Sequence, residues 1–294
     1  MARVQARTEA TLERLLPSPA IAPQRLHQAM RYSVLGGGKR IRPLLAFAAG
    51  EAAAGDPQRA DPARLEVLGC ALECVHAYSL VHDDLPCMDD DVLRRGKPAC
   101  HVEYDEATAL LVGDSLQAFA FQLLSEHRVC DDPSVQVEML KILSVACGSR
   151  GMAGGQAIDL ASVGQTLTVP ELEYMHIHKT GALIRASVAL GARSAGTPAP
   201  AQLERLDHYA KCVGLAFQVV DDVLDQESST ATLGKTVGKD AANNKPTYVS
   251  ALGLARAKAL AEELRRDAHD ALSELGGAAR RLADLADFIV LRKF

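Results

Sequence analysis

Residues 203–225 read LERLDHYAKCVGLAFQVVDDVLD. Leu203, Leu206, Ala210, Val213, Phe217, Val220 and Leu224 follow one another at steps of three and four, the period of a helix face turned toward a core. The stretch ends in Asp221-Asp222-Val223-Leu224-Asp225, where Asp221 and Asp225 stand at i and i+4 and project from one face, with Gln218 on the same stripe. A purely solvated face is the plain alternative, but carboxylates set in so apolar a helix call for a bound partner.

The pattern extends outward. Leu65, Leu68, Leu72 and Val75 mark a second long core helix. A third opens at Thr168-Val169-Pro170-Glu171, a capping-box pair with proline in the first turn, and is predicted to run to about Gly191 with an interruption at Gly181. Turn-rich sequence at Gly36 to Pro43, Gly55 to Pro62 and Thr197 to Pro200 is short enough for connections within one bundle. Hydrophobic residues make up 48% of the 294, aromatics only 4% and Trp is absent, a composition suited to close helix packing. These features predict an all-α, single-domain helical bundle spanning 1–294, with neither an internal repeat nor a linker.

Composition also limits function. A formal net charge of −5 argues against nucleic-acid binding. No uninterrupted apolar run approaches the roughly 20 residues of a membrane span, and no signal-peptide block opens the chain, so a cytoplasmic location is expected. The seven cysteines, at 70, 74, 87, 100, 130, 147 and 212, form no CxxC pair and read as reduced thiols. Cys70 and Cys74 fit a helix face better than a zinc site.

A second acidic cluster, DDLPCMDDD from Asp83 to Asp91, puts five carboxylates in nine residues at the end of the helix through Val75. Helix C-termini disfavour anions, and two like charges at 4 Å repel by about 4 kcal/mol at an effective dielectric near 20. Oxygen ligands such as Asp83 and Asp89 suit Mg²⁺, which takes one or two carboxylates along with phosphate oxygens. Arg94 and Arg95 follow directly, and a solvated acidic loop neutralised by them is the alternative for this run alone. Two such acidic helix ends in one chain point together to a metal-bridged diphosphate site. The segment GGGKRIRP, Gly36 to Pro43, adds backbone N–H groups and the cations Lys39, Arg40 and Arg42 for an anion, without the spacing of a P-loop. From Gln226 to Pro246 the chain carries Gly234, Gly238 and lysines 235, 239 and 245, which reads as a basic lid.

In order and spacing, GGGKRIRP, LVHDDLPCMDDDVLRRGKPACH, HKTGALIRAS, FQVVDDVLD and TLGKTVGKD resemble the trans-prenyltransferases that make short isoprenoid diphosphates. The resemblance covers essentially the whole chain and is nearest to the bacterial farnesyl-forming members. It implies a bundle of the isoprenoid synthase type with a central cavity, several Mg²⁺ ions, a homodimer, and condensation of isopentenyl diphosphate with an allylic diphosphate. By it, Asp83, Asp89, Asp221 and Asp225 hold the metal, with Asp84 and Asp222 tuning that shell. Arg94, Lys179 and Lys235 grip the allylic diphosphate, and Lys245 is a further contact. Lys39, Arg42, His76 and Arg95 form a metal-free isopentenyl pocket. Periodicity independently allows His76, two turns before Asp83, to reach that cavity. Thr180 and Gln218 present oxygen dipoles to a carbocation; read from the residues alone, Gly181 either loosens its helix toward the same point or serves close helix packing. Tyr78, five residues and about 7.5 Å deeper than Asp83 along the helix, sets product length together with Ser79. His82, His176 and His178 take structural or supporting places.

Two departures stand out. Asn243-Asn244 precede Lys245 where relatives commonly have glycine, and the Pro86-Cys87 insertion also occurs in some geranylgeranyl-forming relatives. The competing readings are a terpene cyclase, disfavoured because DDVLD stands where an Asn/Ser/Glu motif belongs, and a non-catalytic prenyltransferase subunit, disfavoured because both Asp motifs are complete.

Overall fold

A computed structural model of the chain describes residues 1–56, 58–227 and 246–292. In chain order the helices are α1 (Ala2–Leu15), α2 (Gln24–Val34), α3 (Ile41–Ala54), α4 (Pro62–Asp83), α5 (Cys100–Glu103), α6 (Glu106–Glu126) and α7 (Pro133–Cys147). They continue with α8 (Met152–Ala161), α9 (Val169–His176), α10 (Ala182–Ser194), α11 (Pro200–Glu227), α12 (Tyr248–Leu252), α13 (Leu254–Leu272) and α14 (Arg280–Leu291). Between α4 and α5 a two-residue hairpin pairs β1 (Leu93–Arg94) with β2 (Lys97–Pro98), the only strands among the described residues. The expected all-α class is observed.

Sequence chemistry fixes the ends of the two long helices. Pro62 and Pro200 each open a helix, where a missing N–H costs nothing, and the Asp61 carboxylate caps α4 by accepting from the Ala63 N–H. The core is centred on α3, α4, α10 and α11: α3 lies along α10, α4 along α6, and α11 along α13. α3 is buried from Ile41 through Ala52 and has no polar face. It can sit so deep because its neighbour is cut away: a Cβ on Gly191 of α10 would stand 2.1 Å from the Ala46 carbonyl oxygen.

Three expectations are corrected. The turn predicted over Gly36 to Pro43 ends at Arg40, so Arg42 and Pro43 belong to the first turn of α3, where proline is tolerated. The interruption near Gly181 is a π-helical turn over Ile177–Gly181, joining α9 to α10 with right-handed helical backbone at both junctions. Finally, α6 is long and apolar enough, by length and composition, to cross a membrane. The acids of α6, Glu106, Asp114 and Glu126, interrupt its apolar run but are widely spaced, and in the structure the helix packs along α4.

Candidate active site

Four pieces of chain surround the predicted site: the end of α4 with the loop after it, the glycine turn into α3, the π-turn, and the last third of α11. After α4 the chain folds back on itself. The Asp89 N–H donates to the Asp83 carbonyl at 2.8 Å, those of Asp90 and Asp91 to Leu85 and Asp84, and Asp90 takes a left-handed φ of 50°. This return sets Asp89 beside Asp83. Burial and the neighbouring Asp89 and Asp84 charges push the Asp83 carboxyl up to about 6, against the pull of Lys179 and Arg94. Buried Asp84 has its own cation: Arg94 Nε lies 3.1 Å from both of its oxygens.

The cations expected for an anion pocket are gathered close to the first acidic cluster, Arg94 acting on both Asp83 and His76. His76 of α4, Arg42 of α3 and Arg95 of the hairpin turn are mutual electrostatic neighbours. Burial pulls the Arg42 guanidinium down to about 10 despite Glu73 and Asp221, which act to raise it. Burial, with Arg42, Arg95 and Arg94, holds His76 well below the usual imidazole range, so its ring is neutral. Among the described residues Arg42 Nε and His76 Nδ1 are buried without a hydrogen-bond partner. Buried polar atoms are seldom left so, and what sets these two apart from the other such atoms, among them Glu51 Oε2 and Arg292 Nε, is that they belong to electrostatic neighbours and so could share one acceptor. Arg95 Nη1 donates to the Gly37 carbonyl at 2.7 Å, which ties the hairpin to the glycine turn. Lys39 lies at the end of that turn, its carbonyl held by Gln5 Nε2 at 2.9 Å.

The π-turn brings Lys179 and Thr180 to the same region. Lys179 Nζ pairs with Asp159 of α8 at 2.5 Å, while its charge is the largest neighbour acting on Asp83. α8 comes this close because residue 155 is glycine: a Cβ there would stand 2.1 Å from the Lys179 nitrogen. The Thr180 hydroxyl donates to Gln218 Oε1 at 3.1 Å, Gln218 Nε2 donates to Asp222 Oδ1 at 3.0 Å, and the Tyr248 N–H donates to Asp222 Oδ2 at 2.7 Å. Asp222 is thereby buried with both oxygens used. On α11 the Asp221 carboxylate accepts from Arg292 Nη2 at 2.8 Å, and Arg292 also lies over the Phe217 ring at 4.0 Å.

Among the described residues no three His, Cys, Asp or Glu side chains come together as a preformed metal site. The donors still fit Mg²⁺. They are hard carboxylate oxygens offered in pairs, Asp83 with Asp89 and Asp221 with Asp225, and Mg²⁺ takes one or two carboxylates with the rest from phosphate and water. The Asp83 carboxyl, held up at about 6 without a cation, is the side chain that a divalent ion would relieve.

Tyr78 is buried, its hydroxyl 3.4 Å from the Cys147 carbonyl and its ring edge-on to His82 at 5.9 Å. Ser79 donates to the His76 carbonyl of its own helix at 2.9 Å. His82 fits against Gly113 and hydrogen-bonds the Leu110 carbonyl. His176 stacks on Tyr248, and burial drives its pKa down to about 3; His178 bonds the Tyr174 carbonyl. All seven cysteines are free thiols, only Cys87 being exposed. Lys235, Lys239 and Lys245 lie outside the described residues. Asp159, Arg292, Gln5 and the Tyr248 amide were not singled out from sequence; only Asp159 carried a local signal, in GGQAID three residues after Gln156.

An all-α bundle thus gathers buried arginines and a neutral histidine next to two acidic helix ends. The polyprenyl synthetase family model matches residues 23–275, and the chain belongs to that family of prenyltransferases. It is 49% identical over 282 residues to a probable farnesyl diphosphate synthase of Bradyrhizobium diazoefficiens, covering 95% of this chain and 83% of that one. It is 47% identical over 272 residues to the farnesyl diphosphate synthase of Escherichia coli, covering 90% and 88%. Geranylgeranyl pyrophosphate synthases also match, that of Capsicum annuum at 45% identity. The structure superposes with a TM-score of 0.85, at 34% identity and covering 99% of this chain and 96% of that one, on a geranyltransferase of Helicobacter pylori complexed with magnesium and isoprenyl diphosphate.

Proposed function

We propose that this protein is a magnesium-dependent farnesyl diphosphate synthase. It adds isopentenyl diphosphate first to dimethylallyl and then to geranyl diphosphate, releasing one diphosphate each time. The observation that carries the reading is a pair of buried nitrogens with no hydrogen-bond partner among the described residues, Arg42 Nε and His76 Nδ1, in a pocket whose electrostatic neighbours reach the second Asp motif through Asp221. An anion in that pocket would stand beside both acidic helix ends.

In this reading Lys39, Arg42, His76 and Arg95 hold the diphosphate of isopentenyl diphosphate without metal. Neutral His76 donates a hydrogen bond, and the arginines supply the charge. Asp83, Asp89, Asp221 and Asp225 hold several Mg²⁺ ions at the allylic diphosphate, and when bound these neutralise the charge that develops on the leaving group. Arg94 and Lys179 add fixed positive charge beside Asp83, with Asp84 and Asp159 orienting them. Lys235 and Lys245, outside the described residues, complete the cationic shell.

The allylic C–O bond breaks without a protein nucleophile. Thr180 and Gln218 have their hydrogens turned along the chain to Asp222, so oxygen lone pairs remain to face the carbocation, an arrangement fixed before the reaction starts. The alkene of isopentenyl diphosphate attacks the cation, and the proton then lost passes to the released diphosphate. Tyr78, anchored through its hydroxyl, closes the hydrocarbon channel and stops growth at fifteen carbons, with Ser79 alongside it. The chain acts as one domain, as a cytoplasmic homodimer.

Labelled isopentenyl diphosphate incubated with Mg²⁺ and either dimethylallyl or geranyl diphosphate is expected to give a fifteen-carbon diphosphate as main product. A twenty-carbon product would point to a geranylgeranyl synthase. No elongation and no released pyrophosphate by the purified chain would overturn the assignment and favour a non-catalytic subunit.

A further inference from the structure

The turn that delivers Lys39 and Arg42 is conformationally demanding. Gly36, Gly37 and Gly38 have φ of 102°, 95° and 129°, and Arg40, which is not a glycine, sits in the left-handed region at φ 50°, ψ 40°. A side chain is held there only where its surroundings overdetermine it. The surroundings are visible. Arg40 is 3% exposed, and every nitrogen of its guanidinium is engaged: Nη1 with Glu73 Oε2 at 2.5 Å, Nη2 with Glu9 Oε1 at 2.6 Å and the Val34 carbonyl at 2.7 Å, and Nε with Glu9 Oε1 at 2.9 Å. Glu73 belongs to α4, one turn before His76. Glu9 belongs to α1, which precedes residues 23–275 matched by the family. α1 touches the turn a second time, where Gln5 Nε2 donates to the Lys39 carbonyl. The helix is pinned to α4 well away from the turn, by Arg7 and Thr11 on Glu66 at 2.5 and 3.3 Å.

We infer that Glu9, with Gln5, is a positioning residue for the isopentenyl diphosphate pocket: α1 clamps Arg40 against Glu73 and holds the backbone of Lys39, and so fixes the direction in which Lys39 and Arg42 meet the diphosphate. The inference rests on the assignment of that pocket in the proposed function. Arg40 is turned into the α1–α4 interface, so it does not bind substrate. Its two carboxylates come from different helices and differ in burial, the Glu73 side chain being 2% exposed and that of Glu9 32%. Removing Glu73 would strip the buried counter-charge from the core, whereas the partly exposed Glu9 is the carboxylate whose loss the fold is expected to tolerate.

The test is calorimetric titration of isopentenyl diphosphate in EDTA, which reads the metal-free pocket alone, together with separate KM values for isopentenyl and geranyl diphosphate. Glu9→Ala is expected to weaken isopentenyl diphosphate about ten-fold in Kd and KM, leaving the KM for geranyl diphosphate and kcat within about two-fold. Glu9→Gln keeps an acceptor oxygen without the charge and should fall in between. Glu66→Ala, which loosens the same helix away from the turn, should lower Tm without changing Kd. Wild-type affinity in Glu9→Ala, equal rises in both KM values, or an equal loss in Glu66→Ala would each overturn the clamp. If the wild-type chain binds no isopentenyl diphosphate in EDTA and elongates nothing, the pocket assignment itself fails, and the clamp with it.

Discussion

At the end of α4 the Asp83 carboxylate makes no ion pair among the described residues, and burial beside Asp89 pushes it up to about 6; in α11 Asp221 is already held by Arg292 at 2.8 Å, and its neighbour Asp222 has both oxygens bonded. Both motifs have the same residue type in the same kind of helix. The difference is where their counter-charges come from. Arg94 pairs with Asp84 and Asp91, so Asp83 feels its charge and that of Lys179 without pairing with either among the described residues. The second motif carries a cation of its own on α14's exit, which occupies Oδ1 of Asp221 and would oppose a second cation there. One end is thus an unbalanced site and the other a guarded one.

The largest effect that could break this comparison is on turnover. Asp83→Asn and Asp221→Asn are each expected to lower kcat by about 10²–10³-fold or more, the scale on which one preorganised charge contact acts in a transition state. Steady-state assays with saturating Mg²⁺ check this. If one substitution were harmless, the two ends would not serve a single diphosphate.

Stability should separate them in sign. Without metal, Asp83→Asn removes a carboxylate that burial disfavours, and should raise the melting temperature at pH 7 by the equivalent of about 1–2 kcal/mol. Asp221→Asn leaves Arg292, whose side chain is 1% exposed, without its carboxylate, and should cost about 1–3 kcal/mol, less than for a wholly buried pair because Asp221 is itself partly exposed. Thermal melts in EDTA decide it, and shifts of the same sign would remove the distinction.

The same contrast has a pH signature. A carboxyl whose folded pKa lies near 6, above its unfolded value of 3.8, binds more protons folded than unfolded between those limits. Stability from this group is therefore fully present below about 4 and lost as pH rises through 6. Melts of the metal-free protein from pH 4.5 to 7.5 should show wild type losing about 1 kcal/mol relative to Asp83→Asn across that window, and a flat difference would place Asp83 in water.

Which parts of this were legible in the sequence follows from distance along the chain. The Asp clusters, the glycine turn and the capping box at Thr168 are local patterns: the capping box forms as its spacing predicts, and the glycine turn opens at Gly36 but gives way to α3 at Ile41. The partners that give the clusters their character are not local. Arg292 lies 71 residues from Asp221, Glu9 31 from Arg40, and Asp159 20 from Lys179. No period or motif links such pairs; only the packing of α14 on α11, α1 on α4 and α8 on the π-turn brings them together. The π-turn shows the same limit from the other side. Gly181 signalled an irregularity, but its position depends on Gly155 admitting the Lys179 backbone, which no helical pattern encodes.

The smallest expected effect is on metal affinity, and it bears on the guarded end directly. If Arg292 competes with a divalent ion for Asp221, then Arg292→Met, which keeps an apolar stem over Phe217 but removes the charge, should lower the Mg²⁺ concentration for half-maximal activity about three-fold, a difference of roughly 0.6 kcal/mol. The direction is the informative part, since an arginine that merely braced α14 would on removal leave Mg²⁺ dependence where it was and lower Tm alone. The parallel change Arg94→Met should act oppositely. It frees Asp84 as a second uncompensated carboxylate beside Asp83, and removes charge from the allylic diphosphate, so kcat should fall while the metal-free protein loses stability. Mg²⁺ titrations of activity, run with melts in EDTA on the same preparations, separate the two arginines; identical responses would mean that the two helix ends are balanced alike.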